Sequence, residues 1–476
     1  MSVAADGGVT RDAGVDAAVG CVSTNHVSGT RVKMRVAVTE EGDIYWQGFR
    51  DTQLDIDCSY ASITSDESRC LPTSRYSPSP DAYANVTYEG VYYTDDHCTE
   101  AVYNFPARCP SEYLLTPELA GVPFCAENKY RLFKRGPQYM ATSQLYGMSA
   151  GKCVPASPAA NAQLYQVGAE QDLSIYAKGR PGQWASAGGI AMHGNLGEDG
   201  SREAQRFWDS KRNQACSIMR LEDRSLHCVE AVLTQSQFAD DACSKPLASV
   251  DTRCDREQVP FAIAKSATVC EAYALYNVLD PYAGSVYGQG SCSQYSPKLA
   301  PGHQLYTTER ADPAEIQALE EVLDATDPGR MQRMHYRNQG GACLLSSMYD
   351  DDLDTRCRFN IAGDGQLRCL PSDGLTQVIE GFSDAACTVE SKLVYADGCG
   401  KLPGRYAVVE VQDGCSTKRR VYNVLPEPIS ANNVPTTHFR SSDGSCRKSP
   451  IAPGTYFKVG EEVMPAKMMR ATIEIR

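Results

Sequence analysis

The spacing of the cysteines constrains the fold of this chain more than any other feature. Eighteen of the twenty cysteines fall into three consecutive sets of six. In each set three of the five gaps barely change, while the other two vary in length, as loops on a shared scaffold do. The sequence therefore predicts three tandem copies of one unit. The sets are Cys58, Cys70, Cys98, Cys109, Cys125 and Cys153; Cys216, Cys228, Cys243, Cys254, Cys270 and Cys292; and Cys357, Cys369, Cys387, Cys399, Cys415 and Cys446.

These cysteines indicate disulfides rather than metal sites. The chain has no CxxC pair of the kind that zinc ribbons and fingers use. A turn-prone segment between the first two cysteines of each set predicts a hairpin that brings them together. We expect sequential pairing in each set: first to second, third to fourth and fifth to sixth. Twenty cysteines in this pattern predict an oxidising compartment, that is, an extracellular or outer cell-surface location.

Two cysteines lie outside the three sets, and we expect them to bond each other. Cys21 precedes the first copy, and Cys343 lies just inside the third. A bond between them requires the first and third copies to be neighbours, as in a ring.

The fold class predicted from these patterns is all-β. Two architectures fit three disulfide-stapled repeats of about 140 residues. One is a pseudo-threefold six-bladed β-propeller, and the other is three consecutive small β domains. The predicted organisation is a flexible linker (1–29), repeat 1 (30–170), repeat 2 (185–310), a helical connector (311–329), repeat 3 (330–462) and a C-terminal closing strand (463–476).

Composition and motifs exclude several classes of function. The net charge is −13, which disfavours nucleic acid as a partner. No apolar run reaches the roughly 18 residues of a membrane-spanning helix. The first twenty residues lack the basic start and apolar core of a signal peptide, so we expect the targeting segment to be absent from this chain. Their linker-like composition is typical of bacterial surface lipoproteins. No strong catalytic motif occurs, which favours a non-enzymatic protein.

One recurring motif carries a resemblance. An aromatic residue, an Asp and the third cysteine are spaced alike in every copy, as in the segment from Phe382 to Thr388. The motif resembles motifs in uncharacterised cysteine-rich exported repeat proteins of predatory and gliding bacteria. The resemblance covers roughly residues 30–462; it implies an exported protein and carries no catalytic residue over to this chain.

Candidate functional residues are those that differ between copies. The tryptophans Trp46, Trp184 and Trp208 stand at non-equivalent positions and are candidate ligand-binding residues. Asp350, Asp352 and Asp354 alternate in an acidic segment, which favours a solvated loop; the alternative interpretation is a metal site, for which calcium is the candidate. Asp51, Asp209 and Asp350 stand seven residues before the first cysteine of each set, and this recurrence predicts a turn or cap.

The leading hypothesis is an extracellular binding or scaffold protein without a cofactor, recognising a protein or a glycan. The alternative is a glycan-acting hydrolase that uses carboxylates near the pseudo-axis of the repeats.

Overall fold

The computed structural model is all-β, as the sequence predicts. The part of the chain that it describes holds strands and short 3-10 turns, without an α-helix. No helix of this part is long and apolar enough to cross a membrane. The structure describes residues 26–72, 84–85, 91–105, 112–117, 130–140, 144–149, 152–158, 163–187, 189–252, 259–266, 269, 272–288, 292–297, 299, 302–323, 329–341, 343–372, 378–396, 404–413, 416–430, 438–440, 445–448 and 455–476.

The strands alternate along the chain between a central ring and three side modules. The first repeat gives the ring β1 (His26–Val27), β2 (Val32–Thr39), β3 (Ile44–Asp51), β4 (Ile56–Ser62) and β5 (Ser68–Pro72). Module 1 then consists of β6 (Ala84–Asn85), β7 (Val91–Tyr93), β8 (Ala101–Phe105), β9 (Tyr113–Pro117), β10 (Tyr130–Tyr139), β11 (Leu145–Ser149), β12 (Lys152–Ala156) and β13 (Gln163–Glu170).

The second repeat follows the same plan. Its ring strands are β14 (Lys178–Ala187), β15 (Ile190–Gly197), β16 (Arg202–Asp209), β17 (Gln214–Arg220) and β18 (Leu226–Val229). Module 2 consists of β19 (Ala231–Phe238), β20 (Pro246–Asp251), β21 (Phe261–Lys265), β22 (Tyr273–Pro281), β23 (Val286–Gly288), β24 (Gln294–Tyr295) and β25 (His303–Arg310).

The third repeat repeats it again. Its ring strands are β26 (Ala318–Leu323), β27 (Met331–Asn338), β28 (Cys343–Asp350), β29 (Thr355–Ile361) and β30 (Leu367–Pro371). Module 3 consists of β31 (Val378–Phe382), β32 (Glu390–Ala396), β33 (Tyr406–Asp413), β34 (Ser416–Ser430), β35 (His438–Arg440), β36 (Cys446–Lys448) and β37 (Thr455–Glu462), and β38 (Ala471–Ile475) ends the chain.

The ring closes on itself. Fifteen of its sixteen strands follow one hydrogen-bonded path from β30 to β38, and β1 pairs beside β16 off this path. The two ends of the path meet where the backbone N–H of Cys369 donates to the carbonyl of Met469 at 2.9 Å. The C-terminal strand β38 also pairs with β2, so it closes the ring and makes repeats 1 and 3 neighbours. Five strands per repeat run in this ring, rather than the four-stranded blades of the propeller alternative, and each of the three modules forms a separate small sheet.

Two of the cores of the ring combine residues of neighbouring repeats. One cluster combines Ala37 and Tyr45 of repeat 1 with Met331 and Phe359 of repeat 3. The tyrosine ring stacks on Phe359 at 5.4 Å between centroids. Each buried aromatic of this kind contributes roughly 1.5–3 kcal/mol. A repeat buries its apolar face fully only against the next one, which is a physical reason for closure.

The first disulfide of each set closes a hairpin, as predicted. Cys58–Cys70, Cys216–Cys228 and Cys357–Cys369 each join the two strands of a hairpin. Their Cα atoms lie 5.2, 5.1 and 5.2 Å apart, which suits a cross-strand bridge. The six cysteines are buried in the ring cores.

The predicted pairing of the third cysteine with the fourth, and of the fifth with the sixth, is wrong. The third cysteine bonds the sixth in every module, with Cα separations of 5.7, 5.7 and 5.8 Å. A small hairpin that carries the sixth cysteine pairs with the strand just before the third, which brings the two together. In module 1 this contact joins Tyr146 of β11 to Tyr93 of β7. The bonded pairs are Cys98–Cys153, Cys243–Cys292 and Cys387–Cys446; Cys109, Cys125, Cys254, Cys270, Cys399 and Cys415 lie outside the described residues.

The structure describes only one of the two cysteines of the predicted Cys21–Cys343 bond. Cys343, at the start of β28, is disulfide-bonded. Cys21 and the rest of residues 1–25 lie outside the described part. The neighbourhood of the first and third repeats, which this bond requires, is confirmed by the pairing of β2 with β38.

The predicted helix in the connector 311–329 is wrong. Asp312 does cap a turn, accepting from the N–H of Ala314 at 2.9 Å, but the turn ends after Pro313–Glu315. The next residues form β26, which pairs with β18 and β27 and buries Leu319. Sheet partners on both sides override a local helical pattern. The turn also has counterparts at Leu173–Ile175 and Pro465–Lys467.

Candidate functional site

The recurring aspartates Asp51, Asp209 and Asp350 are structural, as predicted. All three are buried at the end of the third ring strand of their repeat. One oxygen of each carboxylate accepts two backbone N–H groups of the following turn, for example those of Gln53 and Leu54 in the first copy. The turn is completed in each copy by a residue with positive φ, namely Asp55, Asn213 or Asp354. These carboxylates are therefore used by the scaffold.

An arginine completes each of these sites. Arg31 and Arg330 reach Asp51 and Asp350 from 20 residues earlier in the chain, at 2.7 and 2.8 Å. In the second copy that earlier position is Gly189, and Arg212 from the turn itself binds Asp209 at 2.8 Å. Each arginine also donates to a carbonyl of the adjacent 3-10 turn, namely that of Ile175, Glu315 or Lys467.

The candidate calcium ligands face cations and a phenol instead of one another. The guanidinium of Arg330 lies 2.8 Å from Asp350 and 3.1 Å from Asp352. Asp354 accepts from the hydroxyl of Tyr349 and lies 3.1 Å from Arg405. No group of three metal-ligating side chains occurs among the described residues. This arrangement gives calcium no support at this loop.

The three tryptophans are half-buried packing residues of the ring. Trp46 stacks on the imidazole of His26, with ring centroids 3.6 Å apart, and Trp208 stacks on His193 at 4.9 Å. The guanidinium of Arg202 lies over Trp184 at 5.2 Å. They occupy non-equivalent positions: Trp46 pairs with Val36, and the residues at the same place in the ladders of repeats 2 and 3 are Ala204 and Leu345. They do not form an open aromatic surface.

In the sequence a methionine followed by Arg35, His193 or His335 recurs early in each copy, which predicts that these three residues share one position. The strand register shows that the third copy is one residue out of phase. A β-bulge follows Arg35, His193 and Met334, which share one place in the ladder. His335 comes after the bulge and corresponds to Val36 in the first copy. Only His193 stands at the position of Arg35, so the assignment of His335 to that position is wrong.

A polar interface between repeats 1 and 2 was missed from the sequence. Glu203, which is 1% exposed, accepts from the hydroxyl of Ser59 and the N–H of Tyr60, both at 2.9 Å. His26 pairs with Glu203 through β1. Burial, together with the nearby charge of Arg202, lowers the pKa of His26 to about 3. This histidine is therefore neutral at physiological pH and serves as a ring in the core.

The resemblance motif forms the same turn in each module. The side chains of Asp95, Asp240 and Asp384 accept the N–H groups four and five residues later. The third cysteine of each set, three residues after the Asp, has a positive φ near 50°. Backbone and hydroxyl donors hold the pKa of Asp95 and of Asp384 at about 2, and donors in the same turn lower the pKa of Asp240.

The largest difference between the modules lies on the hairpin that carries the sixth cysteine. In module 3 the cross-strand pairs of β35 and β36 are His438 with Lys448 and Phe439 with Arg447. In module 1 the same places in β11 and β12 hold Tyr146 with Pro155 and Gly147 with Val154. In module 2 they hold Tyr287 with Gln294 and Gly288 beside Ser293.

At these places the module 3 hairpin therefore pairs an aromatic ring with a guanidinium, where modules 1 and 2 have a glycine beside valine or serine. Phe439 is 42% exposed, and Arg447 and Lys448 are exposed. Ile379 on β31 and Val389 in the turn before β32 add exposed apolar surface, at 38% and 55%. We call Ile379, Val389, Phe439 and Arg447 the module 3 surface.

Comparison with known proteins places the chain in a family. The model of a family of unknown function, DUF7481, matches residues 82–407, which is 326 of 476 positions. The chain belongs to this family. The comparisons with curated proteins and with solved structures found no match.

The DUF7481 match has unusual boundaries with respect to the fold. It begins in module 1 and ends within β33 of module 3, so it crosses two full junctions of the ring. The module 3 surface, apart from Ile379 and Val389, lies beyond its end. The sequence signal for its cationic part was available: Arg447 directly follows the sixth cysteine of its set, where the other two copies have Val154 and Ser293. Phe439 has no fixed distance from that cysteine, so its place is defined only by the strand pairing.

Proposed function

We propose that this DUF7481 protein is an extracellular or cell-surface binding protein, in which the ring is the scaffold and the modules present the ligand-binding surface. The ligand is a protein or a glycan. Disulfides in both the ring and the modules support an oxidising location. A surface lipoprotein is one form that such a protein takes.

One observation carries the proposal: three modules share a frame and differ in what they display. Each has the same disulfide and the same Asp turn. Each also exposes one large apolar side chain on its hairpin: Met148 (55%), Tyr295 (41%) or Phe439 (42%). Exposed apolar groups on a fixed frame are typical of interaction sites.

The hydrolase alternative has no comparable support. It requires two carboxyl groups about 5–10 Å apart in a cleft. The recurring aspartates that suggested it are buried and bound to arginines. We therefore propose binding rather than catalysis.

The test uses the oxidised full chain and four single variants. Met148→Ser, Tyr295→Ser and Phe439→Ser each alter one module hairpin, and Arg358→Ser alters an exposed residue of the ring. Binding is measured on a glycan array and against a panel of purified extracellular proteins. We expect at least one module variant to weaken binding of the ligand by roughly 10-fold, while Arg358→Ser changes it by less than about 2-fold. Loss only in the ring variant, or no ligand in either screen, would contradict the proposal.

A further inference from the structure

We infer that the module 3 surface binds a sugar that carries a carboxylate or a sulfate. The inference rests on the proposed binding function and names its site and ligand class. It is carried by one hairpin and the strand beside it, on which an exposed ring, a guanidinium and a glycine are neighbours.

The aromatic part of the site is the partly exposed ring of Phe439. Phe382 of β31 pairs with His438, so the antiparallel register places Phe439 beside Gly381. Because glycine has no side chain, Gly381 does not itself cover the phenylalanine ring. Ile379, two residues before Gly381 on the same face, extends the apolar surface. The C–H face of a sugar ring packs on such a surface, since the aromatic face carries partial negative charge.

The cationic part lies on the other flank. Arg447 is directly opposite Phe439 across the hairpin, so the two side chains share one face of the sheet, whereas Lys448, the next residue, points to the other face. The guanidinium of Arg447 donates through Nε to the hydroxyl of Ser445 at 3.2 Å, and its planar group is of the type that binds a carboxylate or sulfate. One anionic sugar can therefore contact the ring with its C–H face and the arginine with its acidic group.

The local charge differs from that of the chain as a whole. The net charge of −13 is spread over 476 residues, and screening limits its reach to about 8 Å at physiological ionic strength. Two carboxylates near the hairpin are already engaged: Glu380 with Lys392 at 3.6 Å, and Asp384 with the N–H groups of its own turn. A single anionic sugar is therefore a better match than an extended polyanion, whose outer charges would meet the acidic remainder.

The other modules provide internal controls. At the position of Phe439 they have Gly147 and Gly288, and at the position of Arg447 they have Val154 and Ser293. The stapling disulfide and the strand register are the same. The binding chemistry is thus added to a frame that does not require it.

The experiment measures glycan binding by the oxidised full chain. The probes are arrayed glycans that end in a uronic acid, a sialic acid or a sulfated sugar, each next to its neutral counterpart. We expect binding to at least one acidic glycan, which Phe439→Ser and Arg447→Ser each weaken about 10-fold or more. Arg447→Lys keeps the positive charge but loses the paired N–H donors of the guanidinium, so it should weaken glycan binding severalfold. Higher salt should weaken the wild type further.

Two matched controls separate the site from general effects. Arg358→Ser removes an exposed arginine that follows Cys357 as Arg447 follows Cys446, and Val154→Ser alters the equivalent place in module 1. Both should change binding by less than about 2-fold. Unchanged binding in the module 3 variants, or equal binding of neutral glycans, would overturn the inference. A ligand that depends on Met148 or Tyr295 instead would overturn it and leave the proposed binding function standing.

Discussion

The second repeat builds the same ring as the first and third repeats with different residues. Its buried aspartate takes Arg212 from the turn, where the other two copies take Arg31 and Arg330 from the preceding strand. The guanidinium reaches the same two partners in all three cases. What is preserved is the contact geometry, because a buried carboxylate needs a cation wherever the chain can supply one.

A second contact shows the same exchange. Arg69 and Arg368 each bind an acid of their own hairpin and a carbonyl of the next linker, that of Tyr176 or Met468. In the second repeat His227 contacts Asp223 at 2.8 Å and the carbonyl of Ile316 at 3.1 Å. The imidazole of His227 thus takes the place of the longer arginine side chain at the junction between neighbouring repeats.

A third position shows that even the chemistry can change. Tyr45, Glu203 and Leu344 are equivalent in the ladder of the third ring strand. Tyr45 donates to the carbonyl of Met331 at 3.2 Å and Glu203 accepts from Tyr60, whereas Leu344 packs into the apolar core of repeat 2. The ring thus accommodates a hydrogen-bond donor, a hydrogen-bond acceptor or an apolar side chain at this position, provided that the neighbouring groups are paired or packed.

The largest effect should come from the buried aspartates. We expect Asp51→Ala, Asp209→Ala and Asp350→Ala each to lower the free energy of unfolding by about 3–5 kcal/mol, because each leaves a partly buried arginine without its carboxylate. Denaturant unfolding under oxidising conditions measures this. A much smaller effect at Asp209 would show that the turn arginine is a poorer substitute than the comparison implies.

The next largest loss of unfolding free energy should come from the equivalent interface residues Tyr45 and Glu203. The size of the loss should differ between these two copies. Glu203→Leu removes the acceptor of the Tyr60 N–H and of the Ser59 hydroxyl, which we expect to cost about 2–3 kcal/mol of unfolding free energy. Tyr45→Phe removes one hydrogen bond and should cost about 0.5–1.5 kcal/mol. Equal losses in the two variants, measured by the same denaturant series, would argue against the chemical difference between the two interfaces.

The Asp turns of the modules should respond to acid. The pKa of Asp95 and of Asp384 is about 2 in the folded chain, below the ordinary value of about 3.9. Since the folded pKa is depressed, the stabilisation of each turn is complete above about pH 4 and is lost as the pH falls toward 2. The amide chemical shifts of Thr99 and Glu100 should follow this titration. In Asp95→Asn the titration should vanish, and a midpoint near 4 in the wild type would contradict the proposed geometry.

The smallest effect should be at the junction histidine. His227→Arg restores the residue type of the other two copies, so we expect a change in unfolding free energy within about 0.5 kcal/mol. His227→Ala is the comparison variant and should be clearly less stable, because the buried carbonyl of Ile316 loses its partner. If the arginine variant unfolds as easily as the alanine variant, the two junctions are not equivalent.

Much of the plan of this protein is determined by sequence alone. The cysteine spacing predicted three copies, the hairpin disulfides and the β class, because a twelve-residue gap around a turn permits one simple cross-strand bridge. Recurrence also indicated that Asp51 and its equivalents are structural, and that Trp46 has no equivalent tryptophan in the other copies.

Tertiary structure decided what depends on contacts distant in sequence. The third cysteine bonds the sixth because a later hairpin pairs beside it, and no local spacing reveals that pairing. Residues 318–323 have a helical pattern but become a strand, since β18 and β27 offer hydrogen bonds on both edges. The roles of Arg212, Glu203 and His227 likewise appear only when the ring is closed, because each is defined by its contact with an adjoining repeat.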